Sequence, residues 1–139
     1  MKNEFYRKKH VSFFKRCLGI LPEQYEDETS NMMAFVYFCL TGVDLLKELE
    51  NIYTKNDIND FRRWIYSHAF ETEAYFGFRG SVIYENTGLY DPPDLSATTF
   101  AILSLITLGD NLTNINRKKV MRYVIKCQRE DGSFAQCLD

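Results

Sequence analysis

An all-α fold built from repeated helical hairpins is what this sequence predicts, and three observations carry it. Two stretches of helical period, Met32 to Leu45 and Asp94 to Leu108, are apolar nearly all the way round, so each is expected to be buried on every side. A polar link and an amphipathic helix follow each of them. The same order then recurs about 60 residues later, the spacing of stacked helical units. An inner wall of all-apolar helices covered by amphipathic ones is an incomplete α-α toroid, or α/α barrel, here read as one domain over residues 1–139.

In chain order, residues 5–20 form a first amphipathic helix ending near Gly19. Its basic group of Lys2, Arg7, Lys8, Lys9, Lys15 and Arg16 reads as a solvated face. Pro22 opens the polar turn PEQYEDETSN, and Thr29, Ser30 or Asn31 caps the first all-apolar helix, which Thr41-Gly42-Val43-Asp44 ends. Asp57 or Asn56 caps the first outer helix, INDFRRWIYSHAF, with Ile58, Phe61 and Ile65 on one side. The segment ETEAYFGFRGSVIYENTGLYDPP reads as a long functional or binding loop, and the chain contains no convincing strand.

Pro92 and Pro93 cannot continue a helix, Asp94 is a good N-cap, and Gly109 followed by Asp110 stops the second inner helix. Its one apolar set is Leu95, Thr98, Ile102, Leu105 and Ile106, and Ala97, Phe100, Ala101, Leu103 and Leu108 lie opposite. The remaining Ser and Thr hydroxyls can bond back to the preceding turn. Asn116 caps the second outer helix, RKKVMRYVIKCQ, with Val120, Tyr123, Val124 and Cys127 inward. Each unit closes in a glycine turn with an aromatic, at Phe76 to Ser81 and at Asp131 to Phe134, where Phe134 is expected to plug the hairpin.

Seventeen basic against nineteen acidic residues give a net charge of -2, which offers no whole-chain field for nucleic acid or an anionic membrane. The longest apolar run, 12 residues from Met32 to Val43, is short of the ~20 that cross a bilayer. The charged start MKNEFYRKKH has no signal-peptide core, so a cytoplasmic location is expected. Cys17, Cys39, Cys127 and Cys137 form no C-x-x-C pair and read as reduced thiols, while His10 and His68 lack metal-ligand spacing. No Walker loop, Ser-His-Asp order or D-D-x-x-D box is present. Gly77 to Ser81 reads as a glycine turn, with Arg79 bonded to a loop carbonyl or carboxylate, in preference to a phosphate nest.

One set of motifs goes further: His10-Val11-x-Phe13-Phe14-x-Arg16-Cys17-Leu18, Leu21-Pro22-Glu23-x-Tyr25, Glu28-Thr29-Ser30, Gly42-x-Asp44, Trp64-Ile65-Tyr66-Ser67, Gly77-Phe78-Arg79-Gly80-Ser81, Leu108-Gly109-Asp110 and Gln128-x-x-Asp131-Gly132-Ser133-Phe134. In this order and spacing the chain resembles the β subunits of protein prenyltransferases, and within them type I protein geranylgeranyltransferase. The resemblance implies a toroid that pairs with an α subunit, binds geranylgeranyl diphosphate in an aromatic funnel, and transfers the lipid to the cysteine of a C-terminal CaaX peptide. It implies one zinc holding the acceptor thiolate. It also places Ala34 and Phe38 at the closed end of the lipid funnel, where farnesyl enzymes carry bulky Trp residues.

The family's zinc ligands, an Asp, a Cys and a His, lie further along than Asp139. The 139 residues are therefore read as the amino-terminal portion of a β subunit, with no catalytic or metal residue of its own and no activity alone. The alternatives are a farnesyltransferase-type β subunit and a non-enzymatic helical scaffold that binds an α subunit.

Overall fold

The structure, a computed structural model, describes residues 5–19, 31–80 and 92–138. Its elements run α1 (Arg7–Gly19), α2 (Met32–Leu45), α3 (Leu49–Ile52), α4 (Lys55–Ser67), β1 (Ala69–Glu71), β2 (Phe76–Phe78), α5 (Leu95–Thr107) and α6 (Arg117–Cys127). The two all-apolar helices, α2 and α5, lie side by side and make the most extensive contact between elements. Amphipathic α4 packs against α5 and amphipathic α6 against β2, and Phe100 is partly buried where Arg122 is exposed, as the inner and outer assignment requires.

Burial departs from the expectation in one respect. On α5 the buried positions are Ala97, Thr98, Ala101, Ser104 and Leu105, a strip at helical spacing, while Leu103 and Ile106 point outward, Ile106 being 54% exposed. Phe38 and Leu45 of α2 are exposed in the same way. All-round apolarity marks helices meant for contact on more than one side: α2 packs against α1 and α5, and α5 against α2, β2 and α4, while Phe38, Leu45, Leu103 and Ile106 stay exposed.

Local chemistry sets most of the ends. Asp94 accepts a hydrogen bond from the Ala97 amide at 2.6 Å, and Asn116 accepts from the Lys119 amide at 3.2 Å. Gly109 takes φ +71°, the left-handed geometry that lets its amide reach the Ile106 carbonyl and the Asp110 amide reach that of Leu105. The hydroxyls of Thr98, Thr99 and Thr107 bond back to the carbonyls four residues earlier, at 2.7, 2.8 and 3.0 Å.

Two ends were misplaced by the sequence. Gly42 does not stop α2; it sits inside the helix, where the ring of Phe14 lies on it, and the actual stop is Lys47 at φ +54°, with the Lys47 and Glu48 amides on the Asp44 and Val43 carbonyls. The cap of α4 is Thr54. Its hydroxyl accepts from the Asp57 amide at 3.2 Å, and Asp57 Oδ2 accepts from the Thr54 amide at 2.8 Å, so Asp57 is the third helical residue of a capping box and not the cap. The Thr54 hydroxyl, which donates to Asp57 Oδ2 at 2.7 Å, and then the Thr54 amide hold the Asp57 carboxylate below its usual pKa. We expect Thr54→Ala to cost about 0.5–2 kcal/mol, read as a lower urea midpoint at unchanged slope. Thr29 and Ser30 lie outside the described residues; Asn31 is the N-cap residue of α2 but makes no side-chain capping bond.

The expectation of no strands is corrected too. β1 and β2 pair antiparallel, Ala69 with Phe78 and Glu71 with Phe76. Three-residue strands interrupted by Glu71 and Gly77 give no alternation to read. Tertiary contacts hold them: the Phe78 amide donates to Thr98 Oγ1 at 2.9 Å, and the Asp94 amide to the Phe78 carbonyl at 3.1 Å. A side chain at Gly77 would meet Pro93 Cβ at 2.9 Å and Thr98 Oγ1 at 3.1 Å, so glycine lets β2 lie directly on α5. Tyr123 of α6, fully buried, donates to the Pro93 carbonyl at 2.5 Å and closes the other side of the wedge. Burial above all raises the pKa of that phenol.

Candidate functional site

The two ends of the inner pair differ. Met33 and Ala34 from the start of α2 meet Leu95 and Phe100 from the start of α5 around one cavity, so the helices run parallel. Phe134 and Gln136 form its rim, and its volume is about 510 Å³. Asn31, Asp94, Ser96 and Thr99 add polar groups to its lining. The opposite ends of the same helices border a hollow lined by Lys47, Glu50, Lys55 and Arg62, among others, whose charges make it a poor host for an apolar ligand.

The structure places the two sequence-predicted residues on one continuous surface. Ala34 lines the cavity, and its methyl is the smallest side chain that could stand there apart from glycine. Phe38, one helical turn on, lies outside the cavity lining and is 56% exposed. Phe100 joins them, since it lines the cavity and sits 5.5 Å from Phe38 and 5.2 Å from Tyr37 between ring centroids. Phe100 and Tyr37 were missed as site residues. Helical period marks both as apolar, but it does not say which apolar face meets which helix. Phe134, expected as a plug, is instead half-exposed at the rim, where the Asp131 carboxylate orders the turn by accepting from the Ser133 amide and hydroxyl.

A second constellation locks the far end of α5. Arg62 of α4 donates to the Leu108 carbonyl, and Tyr66 donates to Asp110 Oδ1 at 2.8 Å. Asp110 also accepts from the Leu112 amide at 2.7 Å. Burial raises the Tyr66 pKa, and the bond to Asp110 adds to it. Arg62 Nε, buried without a hydrogen bond, lies 3.9 Å from Asp110 Oδ2, and the bonds around it give this cluster the character of a structural lock.

Zinc does not fit the described residues. No group of three or more His, Cys, Asp or Glu could hold an ion among them. His68 is buried, its Nδ1 2.9 Å from the Trp64 carbonyl, and His10 stacks on Phe5. Cys39 and Cys127 are buried with raised pKa values, the reverse of what a metal-bound thiolate needs. No described helix is long and apolar enough to cross a membrane.

Parallel inner helices with amphipathic partners outside are the elements of a toroid, and the family model of the prenyltransferase alpha-alpha toroid domain matches residues 5–139. The chain belongs to this family. Among the family's members, the geranylgeranyl transferase type-1 subunit beta of Dictyostelium discoideum is 29% identical over 91% of the chain, and that of Arabidopsis thaliana 26% over 94%. A solved Candida albicans protein geranylgeranyltransferase-I complexed with GGPP superposes with a TM-score of 0.86 at 32% identity, over 98% of this chain. The chain spans 42% and 37% of the two curated relatives and 42% of the solved chain.

Proposed function

We propose that these 139 residues are the amino-terminal part of the β subunit of a protein geranylgeranyltransferase type I. That enzyme pairs with an α subunit and moves geranylgeranyl from geranylgeranyl diphosphate to the cysteine of a C-terminal CaaX motif. The observation that carries the reading is the cavity lined by Ala34 and Phe100 and continued by the Tyr37 and Phe38 rings, with room at its small-residue end. Similarity to two type-1 β subunits and to an enzyme holding GGPP supports it.

In this reading the chain's own part is to bind and orient the lipid. Ala34 and the aromatic rings offer the lipid an apolar wall, and the Arg62 and Tyr66 bonds to Leu108 and Asp110 tie the far end of α5 to α4. Four free thiols suit the reducing cytoplasm, where we place the enzyme.

The test is a transfer assay on a β subunit that carries this segment, co-expressed with its α subunit, with a CaaX peptide ending in Leu. Geranylgeranyl transfer is expected. Preference for farnesyl diphosphate would make it a farnesyl-type subunit, and α-subunit binding with neither lipid bound would make it a scaffold. The 139-residue chain alone, co-expressed with the α subunit, is expected to transfer no lipid and to carry no stoichiometric zinc by metal analysis.

A further inference from the structure

Helices α1 and α2 run antiparallel in a register fixed at two points. Arg7, at the start of α1, donates to the Leu46 carbonyl just past the end of α2 and pairs with Glu48 at 2.9 Å. Phe14, two turns on, lies so close over Gly42 that a Cβ there would sit 2.6 Å from a ring carbon. One turn further along α1 is Cys17, and one turn back along α2 is Cys39. The register sets them opposite each other, and the Cys17 thiol is near enough to hydrogen-bond to Cys39. The ring-on-glycine contact is what brings the helices close at this level.

We propose that Cys17 and Cys39 are a modification site, which hydrogen peroxide converts to a reversible disulfide tying α1 onto α2. The two thiols divide the work. Cys17 is partly exposed and meets the oxidant first; Cys39 is 7% exposed, its pKa pushed up to about 11 by burial and then by Cys17, so reagents in solution do not reach it. Peroxide oxidises Cys17 to the sulfenic acid and leaves as one water. The Cys39 sulfur then attacks the Cys17 sulfur, and its proton departs with the sulfenic hydroxyl as a second water. In sum, two thiols lose two protons and two electrons, and one peroxide becomes two waters. A low-molecular-weight thiol such as glutathione reverses the bond.

The experiment treats the chain with peroxide, alkylates the remaining thiols, and reads intact mass and joined peptides. We expect a mass lower by two hydrogens before alkylation, two alkylated cysteines in place of four, and a peptide joining Cys17 to Cys39. Cys17→Ser, at a partly exposed position that tolerates the change, should abolish the link. The double variant Cys127→Ser, Cys137→Ser should keep it, which matters because those two cysteines are also neighbours. A bond that maps to Cys127 and Cys137, one that survives Cys17→Ser, or Cys17 oxidised to sulfinic acid with Cys39 still a thiol would overturn the proposal.

Discussion

Phe78→Ala is expected to lower the stability of the chain by about 3–5 kcal/mol, the cost of removing a buried aromatic that its surroundings cannot refill. Phe78 is fully buried, edge-on to Phe76 at 5.4 Å and 6.4 Å from Tyr66 between centroids. Its neighbours cannot collapse inward. The Phe78 amide and carbonyl are both engaged across the wedge, by Thr98 and by the Asp94 amide, and the next amide, Arg79, donates to the His68 carbonyl at 2.9 Å. The backbone therefore stays in place while the side chain goes, which leaves a cavity. Against a domain stability of about 5–15 kcal/mol the loss is a large share, visible as a urea midpoint shifted far to lower denaturant. A shift worth less than about 1 kcal/mol would show that β2 is peripheral and that the core closes without it.

Ala34→Trp, in the β subunit that carries this segment, is expected to move lipid preference from geranylgeranyl towards farnesyl diphosphate. The fourth isoprene adds five carbons, and at about 0.8 kcal/mol for each buried CH₂ it contributes roughly 4 kcal/mol where the cavity can take it. That corresponds to about three orders of magnitude in relative affinity. An indole at position 34 fills the space that Ala34 leaves open beside Leu95 and Phe100. Competition between the two diphosphates is the measurement. Unchanged selectivity would remove Ala34 from the lipid site and return it to simple packing, where α2 and α5 are merely core.

The legible and illegible parts of this chain divide by the range of the interaction. Asp94, Asn116 and Gly109 were readable because each acts on amides or carbonyls within a few residues. Thr54 and Asp57 share two bonds across one turn, so the sequence located the helix start but gave the cap to the wrong partner. Lys47 was unreadable, since a lysine at positive φ is set by what surrounds the end of α2, including the Arg7 guanidinium on the Leu46 carbonyl. Short α3 and the two strands were hidden for the same reason. At the site, resemblance brought out Ala34 and Phe38; the partnership of Phe38 with Phe100 lies 62 residues apart in sequence and no period encodes it.

The Arg62 guanidinium on the Leu108 carbonyl links two successive repeats. The last turn of α5 owes one of its orphan carbonyl partners to α4 of the preceding unit, and Tyr66 adds a second tether from the same helix. Stability in stacked repeats divides into what each unit holds by itself and what each junction adds. Here the junction term contains a cation and a phenol supplied wholly from one side. The second unit thus inherits part of its order from the first, through the end of α5.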